Sequence, residues 1–278
     1  MPVELPELAF WPVENLLHHE RHDDQRTRPL ILRIRSSGVL RNPPVVAPLL
    51  DGSGRAMILD GANRITALRA MGFPHALVQV VEPQDTGLRL QNWNHVVWEM
   101  NPARFIGGLR EIDAIELVAI EDDGREPDLE GECGLALVKT CRMGTYALCA
   151  ATGELVRRVA LLNAVVDSYK ERCRLDRTSS RDVAALDGIY PQLCGVVVFP
   201  QFQIEDVLRL AGQGYLLPGG ITRFTIAPRA LHLNYPLAEL AADKPLEQKN
   251  TELYKWVQER VARKGVRYYA EPTFLYDE

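Results

Sequence analysis

The sequence predicts a mixed α/β (α+β) protein built from two units, and three observations carry that prediction. The first 85 or so residues alternate short apolar runs with stripes at helical spacing. Residues from about 95 to 240 resume the alternation of strand-like runs and amphipathic helices. Between the strand-like runs of this second part lies a stretch, residues 121–132 (EDDGREPDLEGE), that holds seven acids and one Arg, broken by Gly and Pro. It reads as a solvated loop rather than a catalytic cluster.

Taken in order, Leu30, Ile31 and Ile34 form a helical stripe that stops at Gly38. Val45–Ala47 and Met57–Leu59 read as strands joined by a turn carrying Asp51-Gly52. Ile65, Leu68 and Met71 return to helical spacing and end at Gly72, and Leu77–Val81 reads as another strand. In the second unit, Leu135–Val138 and Tyr146–Ala150 are strand candidates, followed by a helix striped with Val159, Leu162, Val166 and Tyr169. Cys194–Phe199 is a nearly continuous apolar strand, and Ile204, Val207, Leu208 and Ala211 mark a helix after it. The tail from Leu246 to Ala262 places Leu253, Trp256, Val257 and Val261 on one face, so that helix must dock on its own chain or on a second subunit, leaving a homodimer open.

Composition excludes several classes. With 46% hydrophobic and 25% charged residues in 278, the chain is neither disordered nor a disulfide-framed miniprotein. A formal charge of -5 argues against a globally basic nucleic-acid binder. No window approaches the roughly 18 apolar residues of a spanning helix, and the opening MPVELPELAF carries two glutamates, so a soluble cytoplasmic protein is expected. The five cysteines form no C-x-x-C pair, and Cys133, Cys141 and Cys149 are expected as small buried apolar side chains. All six lysines fall in the second half and none follows a G-x-x-x-x-G loop, which excludes a Walker A site. Any bound phosphate must be held by arginines and backbone amides.

Three local features carry chemistry. In Ile58-Leu59-Asp60-Gly61-Ala62-Asn63-Arg64 a strand ends, a glycine turns the chain and a helix begins at once. Such a start points free N–H groups at one spot where an anion can sit, Arg64 adds a bidentate grip, and Asp60 is placed to hold Mg²⁺ or a substrate ammonium. The plainer reading is that Asp60 caps the helix and Arg64 makes a surface ion pair. The second feature is Leu16-Leu17-His18-His19-Glu20, followed by six arginines between residues 21 and 41; on its own, Glu20 reads as a surface residue. The third, Pro218-Gly219-Gly220-Ile221-Thr222-Arg223-Phe224, suits a ligand-closing loop or, equally, a tight hairpin turn.

Together with Gly38-Val39-Leu40-Arg41-Asn42-Pro43 and Trp93, these features make the chain resemble the ParB/sulfiredoxin-like superfamily. More closely, it resembles the free L-serine kinases, including the related siderophore-cluster serine kinase and regulator. The resemblance implies a ParB/sulfiredoxin-like nucleotide-binding domain at residues 1–90, a smaller C-terminal α/β substrate domain at 91–240 and a tail at 241–278, with the active site in the cleft between the domains. It implies transfer of a phosphoryl group from ATP or ADP to free L-serine, with Mg²⁺. Glu20 corresponds to the glutamate that takes the hydroxyl proton, and Asp60 to the aspartate of the nucleotide and metal motif. Gly61 and Arg64 match the phosphate-gripping positions, Trp93 the substrate-lining tryptophan, and Thr222 and Arg223 the late substrate or phosphate loop. The family's D-G-H-H-R histidines are Ala62 and Asn63 here, and the closing histidine of T-T-R-H is Phe224. Phosphate contacts made there must pass to backbone N–H groups or Asn63, or be lost. The alternative implied by that loss is a nucleotide- or ligand-sensing transcriptional regulator without kinase activity.

Overall fold

The computed structural model describes residues 4–22, 27–120 and 134–270. The acidic stretch 121–132 and Cys133 lie outside the described residues.

The first unit runs β1 (Glu7–Pro12), a 3-10 turn at Val13–Asn15, β2 (Leu16–Leu17), α1 (Thr27–Ser37), β3 (Val39–Leu40), β4 (Val45–Pro48), β5 (Ala56–Asp60), α2 (Ala62–Ala70) and β6 (His75–Val80). Its sheet has the order β1-β6-β4-β5-β2, with β2 parallel to β5 and β4 parallel to β6. The next elements are β7 (Leu88–Asn92), β8 (Asn94–Trp98), α3 (Pro102–Arg110), β9 (Glu116–Ile120), β10 (Gly134–Thr140), β11 (Thr145–Cys149) and α4 (Leu155–Asp167). They are followed by β12 (Arg174–Thr178), α5 (Val183–Asp187), β13 (Leu193–Val198) and α6 (Ile204–Gly212). A six-stranded, wholly antiparallel sheet forms here in the order β12-β8-β13-β10-β11-β9. This sheet is larger than the first, not smaller, and its antiparallel pairing makes this part α+β rather than α/β.

The apolar runs that read as strands are apolar throughout because both faces are covered. Val45, Ala47, Met57 and Leu59 point into a core shared with Val97, Phe105, Leu162 and Tyr169 of the second unit. Their alternating neighbours Val46, Ala56 and Ile58 point into the other core, with Phe10, Leu68 and Leu77.

The remaining elements are β14 (Thr222–Ile226), β15 (Tyr235–Pro236), α7 (Leu237–Ala241) and α8 (Leu246–Ala262). They return to what precedes them: β14 pairs with β7 and β15 with β3. Helix α8 docks on its own chain. Leu253 is buried in the core with Phe10, and Asn250 Oδ1 accepts a 2.7 Å hydrogen bond from the Phe10 N–H of edge strand β1. Full burial of one such leucine contributes roughly 1.5–3 kcal/mol, and the contact covers an edge that would otherwise offer unpaired backbone groups. Among the described residues, no helix is long and apolar enough to cross a membrane. Cys141 and Cys149, expected as buried side chains, are only partly so, whereas Cys194 is fully buried.

Candidate active site

Strands β2 and β5 run parallel in the register Leu16↔Ala56 and Leu17↔Met57. Glu20 lies three residues past Leu17 and Asp60 three past Met57, so both carboxylates leave the same end of the same sheet. His19 ties the two segments: its Nδ1 lies 2.7 Å from the Ile58 carbonyl. The segment 217–222 lies alongside, with the Leu217 N–H donating to His19 O and the Arg21 N–H to Leu217 O, both at 2.9 Å.

That arrangement builds a nest for Glu20. Its Oε1 accepts from the Ile221 N–H (3.0 Å), the Thr222 N–H (2.7 Å) and the Thr222 hydroxyl (2.6 Å), and its Oε2 accepts from the Gly220 N–H (2.7 Å). Glu20 is therefore no loose surface residue: one oxygen is held by three donors and the other by one. The Thr222 hydroxyl is also 2.8 Å from His19 Nε2. Phe224 packs edge-on against His19 with ring centroids 5.3 Å apart.

At the end of β5, Gly61 caps α2 with φ +89° and no side chain closes the helix N-terminus. The plainer reading of Asp60 as a helix cap is thus corrected, because its Oδ2 turns to two guanidinium groups instead. Arg64 reaches it at 3.1 Å and Arg229, from the segment after β14, at 2.5 Å. Burial pushes the Asp60 carboxyl up, but the charges of Arg64 and then Arg229 outweigh burial and hold it below the ordinary carboxylate range. Arg64 Nε is buried without a hydrogen-bond partner among the described residues. A Cβ at position 61 would stand 2.7 Å from Arg64 Nη2 and 3.0 Å from Pro44 Cα, so glycine is required where the guanidinium passes over the turn.

With two cations to one carboxylate, an unpaired guanidinium nitrogen and open helix-start amides at Ala62 and Asn63, this cradle fits an anion. Among the described residues no group of three or more His, Cys, Asp or Glu stands together to hold a metal ion.

The late loop divides. Successive residues of a strand face opposite ways, so Thr222 and Phe224 turn to His19 while Arg223 turns away, its Cζ 4.4 Å over the Trp93 ring. Arg223 lines a polar cavity of about 250 Å³ with Asn92, Asn94 and Gln201. Two groups of expected residues therefore stand together, Glu20 with Thr222 and Asp60 with Gly61, Ala62, Asn63 and Arg64, whereas Trp93 and Arg223 stack on the other face of β14. Sequence reasoning missed Arg229, which joins the cradle from 169 residues away, and gave no role to His19.

No family model matches the chain. The ATP-dependent L-serine kinase SbnI of Staphylococcus aureus is 26% identical to it over 283 residues, which cover 98% of this chain and 97% of that protein. This chain is similar to the ATP-dependent L-serine kinases. A second such enzyme, the ATP-dependent L-serine kinase of Staphylothermus marinus, is 29% identical over 93 residues, 34% of this chain and 36% of its own. Among solved structures, C-terminally truncated SbnI superposes with a TM-score of 0.69 at 22% identity, covering 92% of this chain and 97% of that one. A free serine kinase in complex with AMP gives 0.69 at 16% identity, covering 86% and 96%. The fold is that of the free serine kinases.

Proposed function

We propose that this protein is a nucleotide-dependent free L-serine kinase that transfers a phosphoryl group from ATP or ADP to the serine hydroxyl, giving O-phospho-L-serine. The observation that carries the reading is the Glu20 nest beside the Asp60–Arg64–Arg229 cradle, a held carboxylate and an anion site leaving one end of one sheet. That geometry supports the following residue roles. Glu20 Oε2, which accepts one bond only, is the oxygen that takes the hydroxyl proton as the serine oxygen attacks phosphorus. A positioned base of this kind is worth about 10²–10⁴-fold in rate. Arg64, Arg229 and the helix-start amides of Ala62 and Asn63 hold the nucleotide phosphates, and in-line placement with charge neutralisation supplies the larger share of the barrier reduction.

Mg²⁺ enters with the nucleotide as part of that substrate. Asp60, the carboxylate expected to bind it, serves first to align the two arginines. We place the division between the ParB/sulfiredoxin-like nucleotide-binding part and the substrate part near residue 90, and assign Trp93 and Arg223 to the substrate side. The two named relatives are both ATP-dependent L-serine kinases, and retention of Glu20 favours catalysis over a purely sensing role.

The test is incubation of purified protein with L-serine, Mg²⁺ and ATP or ADP, followed by ³¹P NMR. A phosphoserine resonance that depends on all three components is expected; nucleotide left intact with either donor would overturn the reading.

A further inference from the structure

A free amino acid presents a carboxylate, and the nest and cradle described so far offer nothing dedicated to it. Arg177, on β12, stands opposite His95 of β8 in the antiparallel register. Its guanidinium lies flat on Gly220, with Cζ and Nη2 each 2.6 Å from the position a Cβ would take there. Gly220 is also the residue whose N–H donates to Glu20 Oε2 at 2.7 Å. A single glycine, with φ +81°, thus separates the guanidinium from the proton-accepting oxygen. With ordinary backbone bond lengths the two lie at most about 8 Å apart. Arg177 is exposed, and its side chain makes no hydrogen bond or ion pair among the described residues.

We propose that Arg177 binds the α-carboxylate of the amino-acid substrate while Glu20 receives its hydroxyl, so that this residue selects β-hydroxy α-amino acids over analogues that lack the carboxylate. The inference rests on the reading of the chain as a serine kinase. The span fits: the hydroxyl and carboxylate of serine are three bonds apart, and a hydrogen bond of about 2.8 Å at each end brings the total to roughly 8 Å. A guanidinium matches a carboxylate in a planar, two-bonded geometry that a lysine does not reproduce. Glycine at 220 is what lets the cation approach, since any side chain there would collide with it.

The experiment compares wild type with Arg177→Gln and Arg177→Lys on L-serine and on L-serinamide, which keeps the hydroxyl and ammonium but lacks the carboxylate. Serine binding is followed by calorimetry alongside turnover. Wild type is expected to prefer serine by 10-fold or more. Arg177→Gln should raise the KM for serine at least 10-fold and erase the preference, with nucleotide KM and melting temperature unchanged, and Arg177→Lys should recover only part of it. A Gln variant that keeps both the serine KM and the preference overturns the assignment, and so does one that loses nucleotide affinity and melting temperature in parallel, which marks a structural role. If wild type binds serine in an Arg177-dependent manner yet forms no phosphoserine, the carboxylate site stands and the kinase reading falls. If wild type neither binds nor phosphorylates serine, both fall.

Discussion

The Thr222 hydroxyl donates to Glu20 Oε1 at 2.6 Å while standing 2.8 Å from His19 Nε2, so a single proton faces two acceptors. The Ile58 carbonyl only accepts, which places the imidazole N–H proton on Nδ1 and leaves Nε2 an acceptor. Burial pushes the His19 imidazole down, against the charge of Glu20, in keeping with a neutral ring. While Glu20 is ionised it holds the Thr222 proton; once it has taken a proton from substrate, that donor can turn to His19. Thr222→Val keeps the shape and removes the proton, so the part-buried Glu20 carboxylate loses one of its four donors, at a cost of about 1–3 kcal/mol. Lower melting temperature and lower kcat are expected together, with Thr222→Ser restoring both. A Val variant with native melting and turnover would refute this coupling.

Glu20→Gln tests the base. The amide oxygen can keep the three donors at Oε1, but its NH₂ then faces the Gly220 N–H, so one hydrogen bond is lost. Turnover should fall by about 10²–10⁴-fold, while nucleotide affinity, measured by calorimetry, stays within a few-fold because the cradle is untouched. Full activity in this variant would remove Glu20 from the chemistry.

How much of this was legible in the sequence depends on how local each determinant is. Gly38 and Gly72 end their helices as expected, with φ of +67° and +79°, because a helix stop is a short-range signal. The 246–262 helix was readable from its apolar stripe, but its docking site on β1 was not, since Asn250 and Phe10 are 240 residues apart. The strand starting at Thr222 was readable after its glycine pair, but its partner β7 was passed over for the same reason: Leu88 and Leu90 alternate with Arg89 and Gln91, yet β14 lies 130 or more residues downstream. Asp60 and Arg64 were found because they sit one helical turn apart. Arg229 and Arg177 carried no local motif, and only tertiary structure brings them to Asp60 and Gly220.

Arg229→Ala should weaken nucleotide binding. Charge-assisted hydrogen bonds are worth roughly 1.5–3 kcal/mol, which corresponds to about 10- to 100-fold in affinity. Serine affinity should change little, because Glu20 and Thr222 lie on other segments. Gly61→Ala should weaken nucleotide binding through a different cause: the left-handed backbone resists a side chain, and the new methyl displaces Arg64. Nucleotide titrations of the two variants check this; unchanged dissociation constants in both would dismiss the cradle as the phosphate site.

His95 supplies a pH dependence whose sign can be worked out. It is fully buried opposite Arg177, and its Nδ1 pairs with the Tyr169 hydroxyl at 2.9 Å. Burial, and after it the charge of Arg177, push the imidazole down to about 4, whereas an unfolded histidine titrates near 6.5. Between those values the unfolded chain takes up a proton that the folded chain refuses. Stability from this group is therefore fully present above about pH 6.5 and is lost as pH falls toward 4, by up to about 3 kcal/mol. Thermal melts at pH 7 and pH 4.5 should differ by at least several degrees from this source, since each kcal/mol moves a chain of this size by about 2–4 °C. His95→Gln, which removes the titrating ring, should melt lower at pH 7 for loss of packing but show a shallower decline between the two pH values. Equal slopes for the two proteins would mean that the acid sensitivity arises elsewhere, with His19, buried and pushed down in the same direction, as the next residue to replace.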